Sequence, residues 1–322
     1  MFKDKKVLVT GGTGFIGINL IKKLIKKGVK VRATLYRKDP VILDSRIEYV
    51  KADLSKWEDC QKTVADTDYV FMCASISSGA AVIQKTPMIH VTPNDAMNAF
   101  MLKAAYEARV KKFLWISSCT IYPLSAHPLK EDEDRNGPLF EKYYFVGTMK
   151  RYIEDLCRMY AEKIKNTMPV VVVRPTSVYG PHDDFNWESS HVIPALIRKV
   201  VERHDPVEVW GDGTAIKDLI FVEDMVDGIL LAMEKINTFM PINLGSGKQT
   251  SIREIADSII KTDGYQNAKI VFDPSKPTML PKMLIDVSRA KKFLGFTAKT
   301  GVEDGIRKTI EWYRDTRSDI GK

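Results

Sequence analysis

The chain has 322 residues, 44% hydrophobic and 28% charged, with a formal net charge of +8. That length suggests two domains or one large domain carrying a lobe, and the apolar content excludes wholesale disorder. No window approaches the ~18 uninterrupted apolar residues that span a bilayer.

Met1-Phe2-Lys3-Asp4-Lys5-Lys6 runs directly into the apolar segment Lys6–Thr10, so no secretory signal and a soluble, cytoplasmic protein without membrane contact are expected. Gly11-Gly12 ends that first strand. In the helix that follows, Leu20, Ile21, Leu24 and Ile25 share a face. Val29–Leu35, Ile47–Val50 and Tyr69–Cys73 read as the second to fourth strands, Asp95–Ala108 as a helix and Phe113–Ser117 as a strand. Tyr143–Lys163 reads as a long helix, and Val170–Arg174 as a strand opening on four valines. Continuous apolar strands alternating with helices predict an α/β fold with a doubly wound parallel sheet. After Arg174 the segments shorten, broken by Pro175, Gly180, Pro181, Pro194, Pro206, Gly211 and Gly213. A strand–helix pair returns at Leu219–Val222 and Glu223–Glu234, then the Pro-rich Pro274–Pro281 and an amphipathic tail at Val302–Tyr313. A smaller C-terminal α+β lobe is expected, formed by 176–214 and 243–322. Residues 1–175 form the sheet domain, rejoined by about 215–242.

Four cysteines lack CxxC spacing and five histidines are scattered, so no disulfide framework and no metal are expected. The basic excess is spread along the chain, as in Lys22-Lys23 with Lys26-Lys27. It predicts a solvated surface rather than a nucleic-acid face, and a field that attracts a nucleotide diphosphate.

Thr10-Gly11-Gly12-Thr13-Gly14-Phe15-Ile16-Gly17 sets GxxGxxG between a strand and a helix. Gly11 allows a tight turn, Gly14 lets backbone N–H groups approach a pyrophosphate, and Gly17 allows close helix packing. The helix opening at Phe15 and Ile16 presents its positive end to the phosphates. The sheet domain is therefore read as Rossmann-type and dinucleotide-binding. This spacing resembles the short-chain dehydrogenase/reductase superfamily. The resemblance implies that Asp53 and Leu54 lie at the adenine, that Cys73, Ala74 and Ser75 line the cofactor, and that Asn94 is the recurring asparagine of the fourth helix. The second strand ends Leu35-Tyr36-Arg37-Lys38, with no carboxylate before Asp39. An acidic residue there selects NAD, and basic residues accept a 2′-phosphate. NADP is expected, with Arg37 at the phosphate; NAD is the alternative.

Ser117-Ser118-Cys119-Thr120-Ile121-Tyr122-Pro123 follows the fifth strand. Farther on come Val178-Tyr179-Gly180-Pro181-His182, Ser190-His191-Val192-Ile193-Pro194, Val209-Trp210-Gly211-Asp212-Gly213 and Phe272-Asp273-Pro274-Ser275-Lys276-Pro277. Across nearly the whole chain this ordered set resembles the GDP-L-fucose synthase branch of the NAD-dependent epimerases and dehydratases. The resemblance implies a nucleotide-sugar enzyme and a homodimer. Ser118 is the implied catalytic hydroxyl and Lys150 the lysine that holds the nicotinamide ribose. The tyrosine four residues before that lysine is replaced by Val146, which cannot move a proton. Tyr143 stands three residues earlier, about 60° around and one turn up an ideal helix. It is expected to serve as a displaced acid/base; the alternatives are another proton carrier or a weak oxidation step, and Tyr144 points away. The resemblance also implies epimerisation by His182 and a turn cysteine. The family's cysteine position is here Thr120, with Cys119 displaced by one. Cys119 otherwise reads as a small buried hydrophobe, and His182 as a loop histidine.

On the substrate side, Thr120, Ser177, His191 and Val192 are implied to border the nucleotide sugar. Trp210 reads as a purine platform or lobe core. Lys217 stands where the family has an arginine and is expected at the diphosphate or nucleoside; its alternative is a surface ion pair with Asp218 or Glu223. Lys282 matches a basic residue of the late Pro-containing segment. The expected activity is hydride transfer at C4 of a GDP-linked hexose, with UDP-linked sugars as runner-up. A dinucleotide-binding regulator that has lost catalysis is the other reading, motivated by Val146.

Overall fold

The computed structural model describes residues 1–77 and 79–317. In chain order the elements begin β1 (Val7–Val9), α1 (Phe15–Lys26), β2 (Val31–Leu35), β3 (Ile47–Lys51), α2 (Trp57–Val64), β4 (Tyr69–Met72), α3 (Ala80–Lys85), α4 (Met88–Glu107) and β5 (Lys112–Ile116). They continue with α5 (Tyr144–Arg158), β6 (Val170–Pro175), β7 (Ser177–Tyr179), α6 (Val192–Val201), β8 (Val207–Trp210), β9 (Ile216–Lys217), β10 (Leu219–Phe221) and α7 (Val222–Lys235). Last come β11 (Met240–Leu244), β12 (Thr250–Ser251), α8 (Ile252–Asp263), β13 (Ile270–Asp273) and α9 (Val302–Thr316).

Seven strands form one parallel sheet in the order β11-β6-β5-β4-β1-β2-β3. The chain winds outward from β1 to β3, then returns to pair β4 on the other side of β1. That reversal opens a crevice beyond the carboxyl ends of β1 and β4, where open α/β sheets bind their ligands. The strands are continuously apolar because both faces are covered. Leu20, Ile21 and Leu24 of α1 and Met225, Ile229 and Met233 of α7 close one face. Cys60 of α2, Met101 and Leu102 of α4, and Met149 and Ile153 of α5 close the other.

The C-terminal lobe pairs β7 with β10, β8 with β13, and β9 with β12. Its core packs α6, α8 and α9 around Tyr179, Phe185 and Phe221. A fourth apolar cluster (Ile121, Tyr122, Leu129, Leu280, Met283, Ile285) joins the loop after β5 to the late Pro-containing segment and sets the floor of the crevice.

Two helix starts differ from the sequence expectation. α4 begins seven residues before Asp95 and runs through Pro93, which lies near the helix start and removes one i−4 bond there. Burial of Met97, Met101, Leu102 and Ala105 downstream holds the helix. α5 begins after Tyr143, which ends a 3₁₀ turn over Glu141–Tyr143 with non-helical angles of φ −107° and ψ 2°.

Candidate active site

The glycine loop is shaped for a diphosphate. Gly11 has φ +65°, and a Cβ there would meet the Ala74 backbone at 2.8 Å. A Cβ at Gly17 would sit 2.1 Å from Gly11 O, so only glycine lets the helix close on its own loop. α1 has no side-chain cap, which leaves its first-turn N–H groups, at Phe15 and Ile16, free for an anion. Thr10 Oγ1 accepts from both Cys73 N and Ala74 N at 3.0 Å, which pins the end of β4 beside the loop. Thr34 Oγ1 is engaged by Gly11 N–H at 2.8 Å. Beyond it the chain offers exposed Tyr36, with the Arg37 guanidinium 4.9 Å over its ring. Asp53 accepts from Ser55 Oγ at 2.6 Å, and that bond, with Lys56 and Arg37 nearby, holds its carboxyl below the usual range. Leu54 turns into the core, where its carbonyl accepts from the Cys60 thiol, so Asp53 alone of that pair keeps its side chain outside the core. Burial pushes the Cys73 thiol up to about 12, while Ser75 is exposed. Asn94 ties the following loop to α4, donating to Ile76 O at 2.8 Å and accepting from Ile76 N at 2.9 Å. These groups suit a nicotinamide dinucleotide.

The turn after β5 is built on Ser118, whose Oγ accepts from Thr120 N at 3.1 Å. Gly147 lets α5 approach this turn: a Cβ there would stand 2.8 Å from Thr120 O. Because Tyr143 precedes the helix, the offset of an ideal helix does not apply to it. Its ring packs with Cys119 and Phe140 on the crevice floor. Burial, with the Cys119 thiol beside it, pushes the Tyr143 phenol well above its ordinary value. Burial pushes Lys150 down to about 8, partly offset by Glu154 and Cys119. Cys119 itself is pushed up to about 11 by burial, with Lys217 pulling the other way. The thiol is thus the common electrostatic neighbour of Tyr143, Lys150 and Lys217. The Thr120 hydroxyl is sealed from solvent and has no partner among the described residues.

Beneath the turn lies a buried polar lattice that the sequence reading missed. Arg174 grips Glu154 with two bonds, Nε to Oε1 at 3.0 Å and Nη2 to Oε2 at 2.5 Å. It also donates to Tyr122 Oη at 2.9 Å, and Tyr122 donates to Asn243 Oδ1 at 2.6 Å. Glu131 accepts from Asn243 N and pairs with Arg289 at 3.1 Å. The signal for Glu154 was its place four residues after Lys150, one helical turn along α5.

From the lobe, Lys217 on β9 reaches the crevice and donates to Leu280 O at 3.1 Å. Asp218 does not pair with it; that carboxylate is taken by Ser246 N and Oγ and by Gly247 N. Lys282 pairs through its backbone with Ile216, the residue before Lys217, and its ammonium donates to Ala126 O at 3.5 Å. His191 caps α6 and Val192 opens it. The His191 side chain is exposed, yet its surroundings are crowded enough for desolvation to lower its ring pKa. Gly79 N donates to Ser189 O at 2.8 Å, linking this loop to the cofactor-side loop. Ser177 lies on β7, and its N–H donates to Asp218 O. Trp210 is 40% exposed with Nε1 on Glu208, so it is no core residue and remains open for stacking.

His182 packs against α1 and α9 rather than on the Ser118 turn. Its Nε2 lies 2.6 Å from Lys22 Nζ on α1 and its ring 4.9 Å from Trp312 on α9. Burial and Lys22 lower its pKa to about 4. The Gly-Pro-His segment dips under α1, where Asn19 Nδ2 donates to Pro181 O, and so carries the imidazole away. The neighbouring Asp183 was also missed: burial raises its carboxyl to about 8, and Oδ2 has no partner among the described residues.

A model of the NAD dependent epimerase/dehydratase family matches residues 7–245. GDP-L-fucose synthase of Escherichia coli (strain K12) is 30% identical over 332 residues, covering 97% of this chain and 98% of the relative. Among solved structures, UDP-glucose 4-epimerase with UDP-glucose from Thermotoga maritima aligns with a TM-score of 0.86 at 25% identity, over 97% of this chain and 99% of the other. GDP-L-fucose synthetase from Naegleria fowleri bound to NADP gives 0.85 at 25% identity, over 100% and 96%.

Proposed function

The chain belongs to the NAD dependent epimerase/dehydratase family, and we propose that it acts by hydride transfer at C4 of a GDP-linked hexose. The observation that carries this reading is the gathering of Tyr143, Lys150 and Lys217 around Cys119 on the Ser118 turn, beside a glycine loop open to a diphosphate. A bound nicotinamide dinucleotide supplies or accepts the hydride. The Ser118 hydroxyl donates to the C4 oxygen, and Tyr143 exchanges the proton on that oxygen as its carbon is reduced or oxidised. Lys150 holds the nicotinamide ribose with its ammonium. Lys217 and Lys282 face the sugar diphosphate, and Trp210 offers a surface for the base. Cys119 exchanges protons next to the keto carbon where epimerisation occurs; His182 has no part in it.

NADP is our choice of cofactor, because Arg37 follows the second strand where a carboxylate would select NAD. GDP is favoured by the kinship with GDP-L-fucose synthases, and the likeness to a UDP-glucose 4-epimerase makes UDP the second reading. We place the enzyme in a homodimer formed through α4 and α5. The test is a panel of GDP- and UDP-hexoses and their 4-keto forms, incubated with oxidised and reduced cofactors and followed by nicotinamide absorbance. Turnover of a GDP sugar supports the proposal. Cofactor binding without turnover across the panel would favour the regulatory reading that Val146 motivates.

A further inference from the structure

Lys150 Nζ lies 5.1 Å from the centroid of the Trp115 ring on β5. Trp115 is 2% exposed and Lys150 is half-buried, and an ammonium partly withdrawn from water over an indole face is a favourable contact. The indole cannot turn. Its Nε1–H donates to Asn98 Oδ1 at 2.7 Å, and Asn98 Nδ2 donates to Asn94 O at 2.7 Å. Asn94 is in turn fixed to Ile76 on the cofactor-side loop.

Little else receives the ammonium. Among the described residues Lys150 makes no hydrogen bond and no ion pair. The groups acting on its charge are Glu154 on its own helix and Cys119 on the turn, and behind Cys119 stand Tyr143 and Lys217. Glu154 is committed to Arg174, and the Asp95 carboxyl of α4 is not among the groups that act on Lys150. One turn before Lys150, Val146 offers no oxygen.

We propose that Trp115 is a positioning residue for Lys150: its locked π face holds the ammonium at the carboxyl end of β5, where Val146 gives it no hydrogen-bond partner. The use of that ammonium at a nicotinamide ribose rests on the function proposed above; the hold itself does not.

A π face stabilises only the charged lysine, so weakening it must move the Lys150 titration to lower pH. The test uses full-length, cofactor-free protein carrying carbon-13 at lysine Cε, titrated by NMR, with Lys150→Met identifying the resonance. Replacing tryptophan by mono- and then difluorotryptophan drains the π face with almost no change of shape. The Lys150 midpoint should fall stepwise, by roughly 0.3 pH unit per fluorine. Lys103, 4.1 Å from the Trp57 ring but half exposed, should move less. Trp115→Leu should lower the midpoint by about 1 unit, with Trp115→Phe between. An unchanged Lys150 midpoint in the folded difluoro protein overturns the proposal. Dissociation constants for NADP⁺ and NAD⁺ across the same pH range separate the two claims. A midpoint that falls with fluorination while cofactor affinity ignores pH supports the hold of Trp115 and counts against the proposed function.

Discussion

Under the proposed function, Val146 makes the chemistry depend on where Tyr143 stands. Tyr143→Phe should lower hydride transfer by about 10²–10⁴-fold, the range for losing a positioned acid/base, while cofactor affinity holds. Single-turnover rates at wild-type level in that variant would remove Tyr143 from the mechanism. Val146→Tyr should raise turnover, since it puts a phenol one turn before Lys150. The sign of the pH dependence follows from Lys150, whose charge is lost as pH rises through about 8. Affinity for the dinucleotide should therefore decline above that pH, and Lys150→Arg should flatten the decline, as titration calorimetry would read. Some of this was legible in the sequence. Ser118, Lys150 and the substituted position 146 were singled out by the family resemblance, and the structure sets the Ser118 turn against the helix that carries the other two. The reach of Tyr143 was not legible, because the angular offset presumed a helix starting at Tyr143, whereas α5 begins one residue later. The fate of His182 depended on α1 and α9, whose contacts with it span more than a hundred residues of sequence.

α5 and the turn after β5 work as one unit, because Gly147 allows contact between helix and backbone. Gly147→Ala would drive a methyl against Thr120 O and the Leu139 side chain, whose nearest atoms stand at 2.8 and 3.0 Å. Overpacking of this kind costs about 1–3 kcal/mol, and it displaces Ser118 from Lys150. The variant should therefore unfold at lower denaturant and lose kcat more than it raises KM. A stable variant with unchanged kcat would show the contact to be slack. The element pattern was readable because parallel strands buried on both faces leave unbroken apolar runs, as Val170–Val173 does. Helix starts were less readable, since Pro93 signals a break while the apolar residues after it continue the helix. The lattice of Arg174, Glu154, Tyr122 and Glu131 joins four distant segments, so no local period announces it.

At the scale of the molecule, the proposed function puts the cofactor at the glycine loop, beside the reversal in sheet order, and the sugar nucleotide between the lobe and the carboxyl ends of the strands. The ordered set of short segments along the whole chain conveyed that architecture better than any one of them, because each segment marks a different wall of one crevice. What remains uncovered is the outer side of α4 and α5. Phe145 is 60% exposed and Tyr152, seven residues on and therefore on the same face of α5, is 51% exposed. Met88 and Ile89 stand exposed at the start of α4, which packs against α5. Large apolar side chains grouped in this way suit a protein interface better than water. A two-fold pairing would bring α4 and α5 against their copies, and each face would meet its own likeness. It would also brace the helix that carries Lys150. Sedimentation equilibrium should then give twice the 36.5 kDa of the chain. Tyr152→Arg with Phe145→Arg would put four like charges into the paired face and should shift the mass to one chain without unfolding it, as circular dichroism would confirm. Because α5 positions Ser118 and Lys150, the separated chains should also turn over more slowly. A wild-type protein that sediments as a single chain at micromolar concentration would leave that face without a second copy.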